Sequence, residues 1–105
     1  MKAEELLATL TVEERARAEE IARMMSTVAE LVRLREAAGL TQKEMAERFG
    51  VSQARISQIE NGRDFHFSTL QKYIAALGGT LRVEAQFPKE KTVTLDLPIL
   101  SETSA

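Results

Sequence analysis

The chain has 105 residues, of which 44% are hydrophobic, and this size suits a single domain with a modest core. It contains no cysteine and only one histidine, which excludes disulfides, thiolate metal sites and histidine metal clusters. No stretch approaches the apolar length of a transmembrane helix, and the acidic N-terminus does not resemble a signal peptide, so we expect a cytoplasmic protein without a bound cofactor.

The formal net charge of −2 hides an uneven distribution along the chain. Residues 1–30 carry seven Glu against four Lys and Arg, whereas residues 31–75 carry seven Lys and Arg against five Asp and Glu. The positive share therefore falls on the middle of the chain. An acidic protein can still bind nucleic acid through one face, because phosphate contacts need only local cations or helix N-termini.

The N-terminal third is predicted to be helical. Residues 1–10 contain a short amphipathic stretch, and Thr11 with Glu14 forms a capping box before Val12 to Ala38, which contain neither Gly nor Pro. This permits one helix of roughly 40 Å, with Ser26-Thr27 as the point where it could divide in two. Apolar residues at helical spacing predict a core-facing stripe; they are Ile21, Met24, Met25, Val28, Leu31, Val32 and Leu34.

The first part of this helix, residues 13–20, is highly charged. One interpretation is a solvated helix with ion pairs between successive turns. The other is an acidic arm for a basic protein partner. The sequence leaves both open.

Residues 40–62 predict two short helices joined by a sharp turn. Thr41 with Glu44 forms a second capping box, and Gly50 falls where the first helix must end in a left-handed conformation. Ser52 caps the second helix, whose Ile56 and Ile59 form an inward stripe. Its outward face lacks the Lys and Glu pairs usual on solvated helices and consists of Gln53, Ala54, Ser57 and Gln58.

This stretch resembles the helix-turn-helix of the Cro/lambda-repressor (XRE-like) family of bacterial and phage regulators. The matching residues are Gln42, Ala46, Gly50, Val51, Gln53, Ile56, Ile59, Glu60, Asn61 and Gly62. The resemblance implies that the second helix enters the major groove of DNA, where a glutamine can pair with an adenine edge and small residues permit close approach. The alternative is a helical hairpin used only for packing, which would leave the amide face unexplained.

The resemblance also implies residue roles. Gln42 would contact phosphate and support Gln53, while Gln53, Ala54, Ser57 and Gln58 would face the bases. Asn61 and Arg63 would contact the DNA backbone, and Ser52 and Arg55 complete the DNA-binding set. Arg35 and Glu60 would form a partly buried structural pair that fixes two helices. Family members often have a longer polar residue where this chain has Ala54, so the base read there is not implied.

The segment after the helix-turn-helix predicts one more helix. Ser68 with Gln71 forms its cap, Leu70, Tyr73, Ile74 and Leu77 form its buried stripe, and Gly78-Gly79 ends it. We expect the Tyr73 hydroxyl at the surface. His66 is predicted to be a loop residue between two phenylalanines, Phe65 and Phe67, that anchor in the core.

The pattern then changes to alternation typical of strands. Two alternating runs flank Pro88 to Lys91, which predicts a β-hairpin with a four-residue loop; the inward set is Leu81, Val83, Ala85, Phe87, Val93, Leu95 and Leu97. A lone hairpin is marginal in water, so we expect it to pack on the helices or to pair with a second subunit. Pro98 would end the second strand, with a disordered tail beyond it.

Taken together, the sequence predicts a mainly α fold, a lambda-repressor-like helical domain with an N-terminal helical extension and a C-terminal β-hairpin. The expected parts are an acidic extension (1–30), a DNA-binding core (31–79), a dimerising hairpin (80–97) and a tail (98–105). This combination resembles HigA-type antitoxins of type II toxin–antitoxin systems, on the long extension, the repressor core and the ALGGTLRVEAQF segment.

That resemblance implies a homodimer that represses its own operon at an inverted repeat and neutralises a small basic RelE-like mRNA endonuclease. The alternatives are a stand-alone repressor without a toxin, and a helical adaptor that does not bind DNA. We expect no enzyme, because the sequence offers no nucleophile–base pair, carboxylate dyad or phosphate loop. Neither a membrane nor a small-molecule substrate is expected.

Overall fold

A computed structural model describes residues 2–98, without the side chain of Leu7. Five helices and a two-stranded antiparallel sheet follow one another: α1 (Ala3–Ala8), α2 (Val12–Ala37), α3 (Gln42–Phe49), α4 (Gln53–Glu60), α5 (Phe67–Ala76), β1 (Val83–Phe87) and β2 (Lys91–Leu95). The predicted fold class is confirmed. The predicted tail beyond Pro98 lies outside the described residues, and no helix within residues 2–98 is long and apolar enough to cross a membrane.

The long helix α2 is continuous over 26 residues, so it does not divide at Ser26-Thr27. Its capping box is complete: the Thr11 side chain accepts from the Glu14 N–H, and the Glu14 carboxylate accepts from the Thr11 N–H. The Thr27 hydroxyl donates to the Arg23 carbonyl at 3.1 Å. A polar side chain that bonds back onto the same helix need not break it.

The predicted core stripe of α2 is only partly correct: Met24 and Val32 are half-buried, and Leu34 is 47% exposed. The buried residues of α2 are Val28, Leu31 and Arg35, whereas Ile21 is 53% exposed and Met25 is 42% exposed. The helix packs against α4, which is only eight residues long. The first half of α2 therefore extends past the core, and its apolar groups are exposed or, like Met24, only half-buried.

The core lies where α2, α3, α4 and α5 meet. Met45, Ile56, Ile59 and Tyr73 are the largest fully buried side chains, and each such burial contributes roughly 1.5–3 kcal/mol. Leu31 and Ala46 complete the buried cluster. Partly buried residues packed around it include Leu70 and Ile74 of α5 and Leu77, the residue that follows this helix.

The predicted cap of α5 is wrong. The helix begins at Phe67, its N-cap is His66, and no side chain caps it. Gln71 is buried and donates its amide to the Leu97 carbonyl at 3.1 Å, which ties the end of the hairpin segment to α5. Phe65 and Phe67 are more than a third exposed and are not core anchors.

The hairpin has a three-residue loop rather than the predicted four. Phe87 pairs with Lys91, so the loop is Pro88-Lys89-Glu90, and Lys89 and Glu90 both adopt positive φ. The register places Val83 opposite Leu95 and Ala85 opposite Val93. One face of the hairpin is therefore apolar, as the alternation predicted, and its β2 side remains exposed.

Candidate nucleic-acid interface

The turn between α3 and α4 is built by local signals. Gly50 ends α3 with φ of 81° and donates its N–H to the Ala46 carbonyl, a left-handed conformation that favours glycine. The Ser52 hydroxyl then accepts from the Arg55 N–H at 3.1 Å and caps α4. Because both ends of the turn are fixed, the direction of α4 relative to α3 is fixed as well.

The outer face of α4 is free of charge pairs with its neighbours on the helix. Gln53, Ala54 and Gln58 are exposed and Ser57 is partly exposed, while Ile56 and Ile59 on the opposite face are buried. The first turn of α4 carries no acidic residue. Such a face can approach a polyanion, since its side chains are short or carry an amide that both donates and accepts.

The buried carboxylate of Glu60 holds α4 in place on the side that faces the core. Glu60, the last residue of α4, accepts from Arg35 Nε at 2.7 Å and from Arg35 Nη2 at 3.0 Å, a bidentate pair across two helices. It also accepts from the Gln42 amide at 3.1 Å and from the Tyr73 hydroxyl at 2.7 Å. Arg35 Nη1 donates in addition to the Leu40 carbonyl at 2.7 Å.

This network corrects the expectation for Tyr73. Its hydroxyl is buried, not at the surface, and it lies 3.3 Å from the Leu31 carbonyl as well as beside Glu60. Glu60 thus joins α2, α3, α4 and α5 through one side chain, since each of these helices contributes a partner. This role of Tyr73 was not predicted from the sequence, because an aromatic residue on an amphipathic stripe is usually an ordinary core residue.

The charged state of the network follows from its contacts. Burial acts to raise the pKa of Glu60, but hydrogen bonds from Arg35, Tyr73 and Gln42 outweigh it and hold the pKa below its ordinary value. The hydrogen bond to Glu60 raises the pKa of Arg35. Burial, reinforced by Glu60, raises the pKa of the Tyr73 hydroxyl. Arg35 and Glu60 are therefore an ion pair, and Tyr73 is a neutral donor, at neutral pH.

Gln42 is oriented inward. Its amide nitrogen donates to Glu60, and the side chain is partly buried at the start of α3. Within residues 2–98, Gln42 makes no hydrogen bond to Gln53. Support for the DNA-facing side chains would therefore pass through Glu60 and the position of α4, and the phosphate contact of Gln42 remains a prediction.

The residues after α4 are arranged around its C-terminal end. Asn61 caps the helix, and its amide lies 3.4 Å from the Ser57 hydroxyl. Arg63 is exposed and donates its backbone N–H to the Gln58 carbonyl at 2.9 Å. The structure therefore places the predicted backbone contacts, Asn61 and Arg63, next to the end of the predicted base-facing set.

A polar cluster beside α4 was missed by the sequence analysis. Asp64 is buried and forms an ion pair with Arg55, a contact with the ring of His66, and a hydrogen bond with the Thr69 hydroxyl at 3.2 Å. Burial acts to raise the pKa of Asp64, but His66, Arg55 and Thr69 together lower it. The opposite charges of Arg55 and Asp64 were visible, but their meeting depends on how the chain turns between α4 and α5.

Comparison with known proteins identifies the segment that contains α3 and α4 as a helix-turn-helix. The family model described as Helix-turn-helix (HTH_3) matches residues 31–83. Two curated relatives from Mycobacterium tuberculosis (strain ATCC 25618 / H37Rv) are named putative antitoxin HigA3, 48% identical over 68 residues, and putative antitoxin HigA2, 42% identical over 64 residues. The matches cover 62% and 59% of this chain and 62% of each relative, so the chain spans less than two thirds of their length.

Two solved structures are similar as well. One, described as "Induced DNA bending by unique dimerization of HigA antitoxin", is 46% identical with a TM-score of 0.56 and covers 64% of this chain and 91% of its own. The other, described as "DNA bound antitoxin HigA3", is 43% identical with a TM-score of 0.57 and covers 64% of this chain and 88% of its own. Because the sequence identities are 46% and 43%, the two structures resemble this chain in sequence as well as in fold.

Proposed function

Since this chain belongs to the helix-turn-helix family of the Cro/lambda-repressor (XRE-like) type, we propose that it is a DNA-binding antitoxin of the HigA type. The proposal has two parts. The first is a homodimer that binds an inverted repeat in its own operon, and the second is direct binding of a small basic RelE-like toxin. The solved relatives described by DNA binding and dimerization support the first part, and the name antitoxin that the relatives carry supports a toxin partner. Acting as a binding protein rather than an enzyme, it would work in the cytoplasm.

The observation that carries the DNA-binding part is the exposed amide face of α4. Gln53 and Gln58 lie on that face, and Glu60 at the end of the same helix is held by partners from three other helices. A recognition helix must be oriented within about an ångström for bidentate contacts to bases. The buried carboxylate provides such an orientation.

The direct test is selection of duplexes from a random library by the full chain. A two-fold dimer predicts an inverted repeat whose half-sites are separated by about one helical turn, roughly 34 Å. The recovered sequence should also occur near the start of the gene. Recovery of no common sequence, or of a single unpaired half-site, would contradict a two-fold DNA-binding dimer.

The toxin-binding part rests on the N-terminal extension. Residues 1–30 have a net charge of −3, from four Lys and Arg against seven Glu, and Leu6, Val12 and Ile21 are more than half exposed. A cleft of about 450 Å³ lies between α2 and the segment after α4, where Ile21, Met24 and Phe65 contribute the apolar lining. Apolar groups within an acidic segment suit a cationic partner, since charge steers association and burial stabilises it.

This part is tested by co-expression with the product of the neighbouring reading frame. Wild type should co-purify with that product, and expression of the neighbour alone should arrest growth. Ile21→Asn should weaken the complex, whereas Leu34→Asn, a matched change at an exposed leucine outside the extension, should not. If the product of the neighbouring reading frame is neither bound nor toxic, the toxin-binding part is contradicted and the stand-alone repressor becomes the better hypothesis.

The homodimer in the first part of the proposal needs a dimer seam. We propose that the chain comprises an N-terminal extension (1–30), a DNA-binding core (31–79) and a dimerising hairpin (80–97) that forms this seam. The apolar face of the hairpin supports this, because Phe87, Val93 and Leu95 remain exposed in one copy of the chain. An exposed apolar strand with an open edge favours pairing with another chain.

A further inference from the structure

One cation of α4 is held by a buried acid. Arg55 is the third residue of α4, and its guanidinium forms an ion pair with Asp64, which lies beyond the end of the same helix. Asp64 is only 7% exposed. Its Oδ1 atom is engaged by His66 and Thr69, so Oδ2 is the atom that faces Arg55.

The Oδ2 atom depends on Arg55. It is buried, and it has no hydrogen-bond partner among the described residues besides its ion-pair contact with the guanidinium. If Arg55 moved away, a buried carboxylate oxygen would be left without compensation, which is costly. The arrangement therefore restrains Arg55 to one position beside the exposed face of α4.

The ion pair with Asp64 leaves some N–H donors of Arg55 available to a ligand. A guanidinium carries five N–H donors in a rigid plane, and a carboxylate oxygen engages only some of them. The Arg55 side chain is 36% exposed, so part of it is accessible to a ligand. Its backbone is fixed as well, because its N–H donates to the Ser52 cap.

We propose that Asp64 is a positioning residue for DNA binding: it holds Arg55 where the remaining donors meet a phosphate beside the groove that α4 enters. The proposal rests on the DNA-binding function proposed above. An arginine restrained in this way supports binding only where α4 is seated in register. A released arginine would attract any phosphate, so Asp64 would raise the preference for the correct sequence over other DNA.

The test uses the full chain with two labelled duplexes, the one selected by wild type and a shuffled duplex of the same composition. Asp64→Asn should lower affinity for the selected duplex by about tenfold, comparable to one charged hydrogen bond. Affinity for the shuffled duplex should hold or rise, with the magnitude of the log–log salt slope increasing by about 1 as the freed arginine finds a phosphate.

Two further variants separate positioning from a merely structural role. In an Arg55→Ala background, Asp64→Asn should have no further effect on the preference for the selected duplex. Arg55→Lys keeps the charge on a partly exposed side chain but loses the planar fork, so it should lower binding to the selected duplex and spare the shuffled one. Thr69→Val, which loosens Asp64 but leaves the ion pair, serves as the control for stability.

The outcomes distinguish this proposal from the one beneath it. If wild type does not prefer the selected duplex, DNA reading itself fails and the role of Asp64 fails with it. If wild type has the preference and Asp64→Asn or Arg55→Lys keeps it unchanged, positioning by Asp64 is overturned while the proposed function stands. Equal losses on both duplexes, matched by Thr69→Val, would also overturn it, because they indicate lost stability alone.

Discussion

Glu60 is the shared acceptor of the buried hydrogen-bond network that joins the core helices. It is 8% exposed, yet it is ionised, because Arg35, Gln42 and Tyr73 supply four hydrogen bonds to its two oxygens. A buried ion pair contributes little compared with an apolar replacement, but the loss of one partner strands the other. The main effect of the Glu60 network is on geometry, since it fixes how α4 is oriented relative to α2, α3 and α5.

Removing the charge of Glu60 should therefore destabilise the fold strongly. Glu60→Gln leaves Arg35 buried without its anion, and we expect the free energy of unfolding to fall by about 3 kcal/mol or more. Tyr73→Phe removes one hydrogen bond to a charged group and should cost about 1.5–3 kcal/mol. Urea denaturation measures both. Glu47→Gln on the exposed side of α3 is the control and should change stability by less than about 0.5 kcal/mol.

The same residue predicts how stability depends on pH. The pKa of Glu60 is lowered in the folded protein, so its contribution is complete above the unfolded pKa of about 4.3 and is lost as the pH falls through the folded value. Denaturation midpoints measured from pH 7 down to pH 3 should decline below about pH 4.5. Glu60→Gln should flatten this decline, although Asp64 and Glu44, whose pKa values are also lowered, should preserve part of it. An unchanged profile would contradict the assignment.

Single residues were predictable where their role is local. Gly50 and Ser52 act within one turn of the chain, and both have the expected roles at the ends of α3 and α4. Arg35 and Glu60 lie 25 residues apart, and only the resemblance to a family suggested that they meet. The burial of the Tyr73 hydroxyl and the Asp64 cluster depend on tertiary packing that no periodicity encodes.

At the level of elements, two capping boxes with the same chemistry occupy very different surroundings. Thr41 and Glu44 cap α3, which packs on α4 and α5, whereas Thr11 and Glu14 cap the exposed start of α2. Local stability follows the number of buried contacts an element makes. Equal caps should therefore have unequal consequences.

Thr41→Ala should lower the global free energy of unfolding by about 1 kcal/mol, because α3 is part of the cooperative core. Thr11→Ala should leave global stability nearly unchanged and instead speed amide exchange in the first turns of α2. Urea denaturation and hydrogen exchange, read together, check the pair. Equal global losses would show that the start of α2 is part of the cooperative core after all.

Element existence and type were predicted well, and boundaries less so. Helix periodicity, capping boxes and glycines located α2, α3 and α4, because these signals act over a few residues. The start of α5 was misplaced because Ser68 and Gln71 match a capping box in sequence, while Gln71 is taken up by Leu97. The hairpin loop differed by one residue because pairing of Phe87 with Lys91 is decided by register.

At the level of the whole molecule, a packed helical centre carries two less protected ends. The first half of α2 extends beyond the core, and the hairpin presents an apolar face with an exposed β2. A groove of about 360 Å³ between α5 and the hairpin shows that the helices do not cover this element fully. The sequence predicted that the hairpin needs a partner, and the structure of one copy supports the same need.

The proposed dimer seam predicts a clean contrast on one strand. Val93 lies on the apolar face of β2 and Thr94 on the opposite face. Val93→Lys should convert a dimer into a monomer at concentrations where Thr94→Lys stays dimeric, because only the former buries a charge in the seam. Sedimentation equilibrium gives the answer. A dimer that survives Val93→Lys would move the seam elsewhere, with α2 as the next place to examine.

The central claim, that the exposed amide face of α4 reads DNA, is tested most directly by fluorescence anisotropy on the duplex selected by wild type. The Gln53→Ala and Gln58→Ala variants are compared with Glu36→Ala, an exposed change at the end of α2. Each glutamine substitution should weaken binding by about 1–3 kcal/mol, with no loss of stability and no effect from Glu36→Ala. Unaltered affinity in the double glutamine variant would contradict DNA recognition by this face.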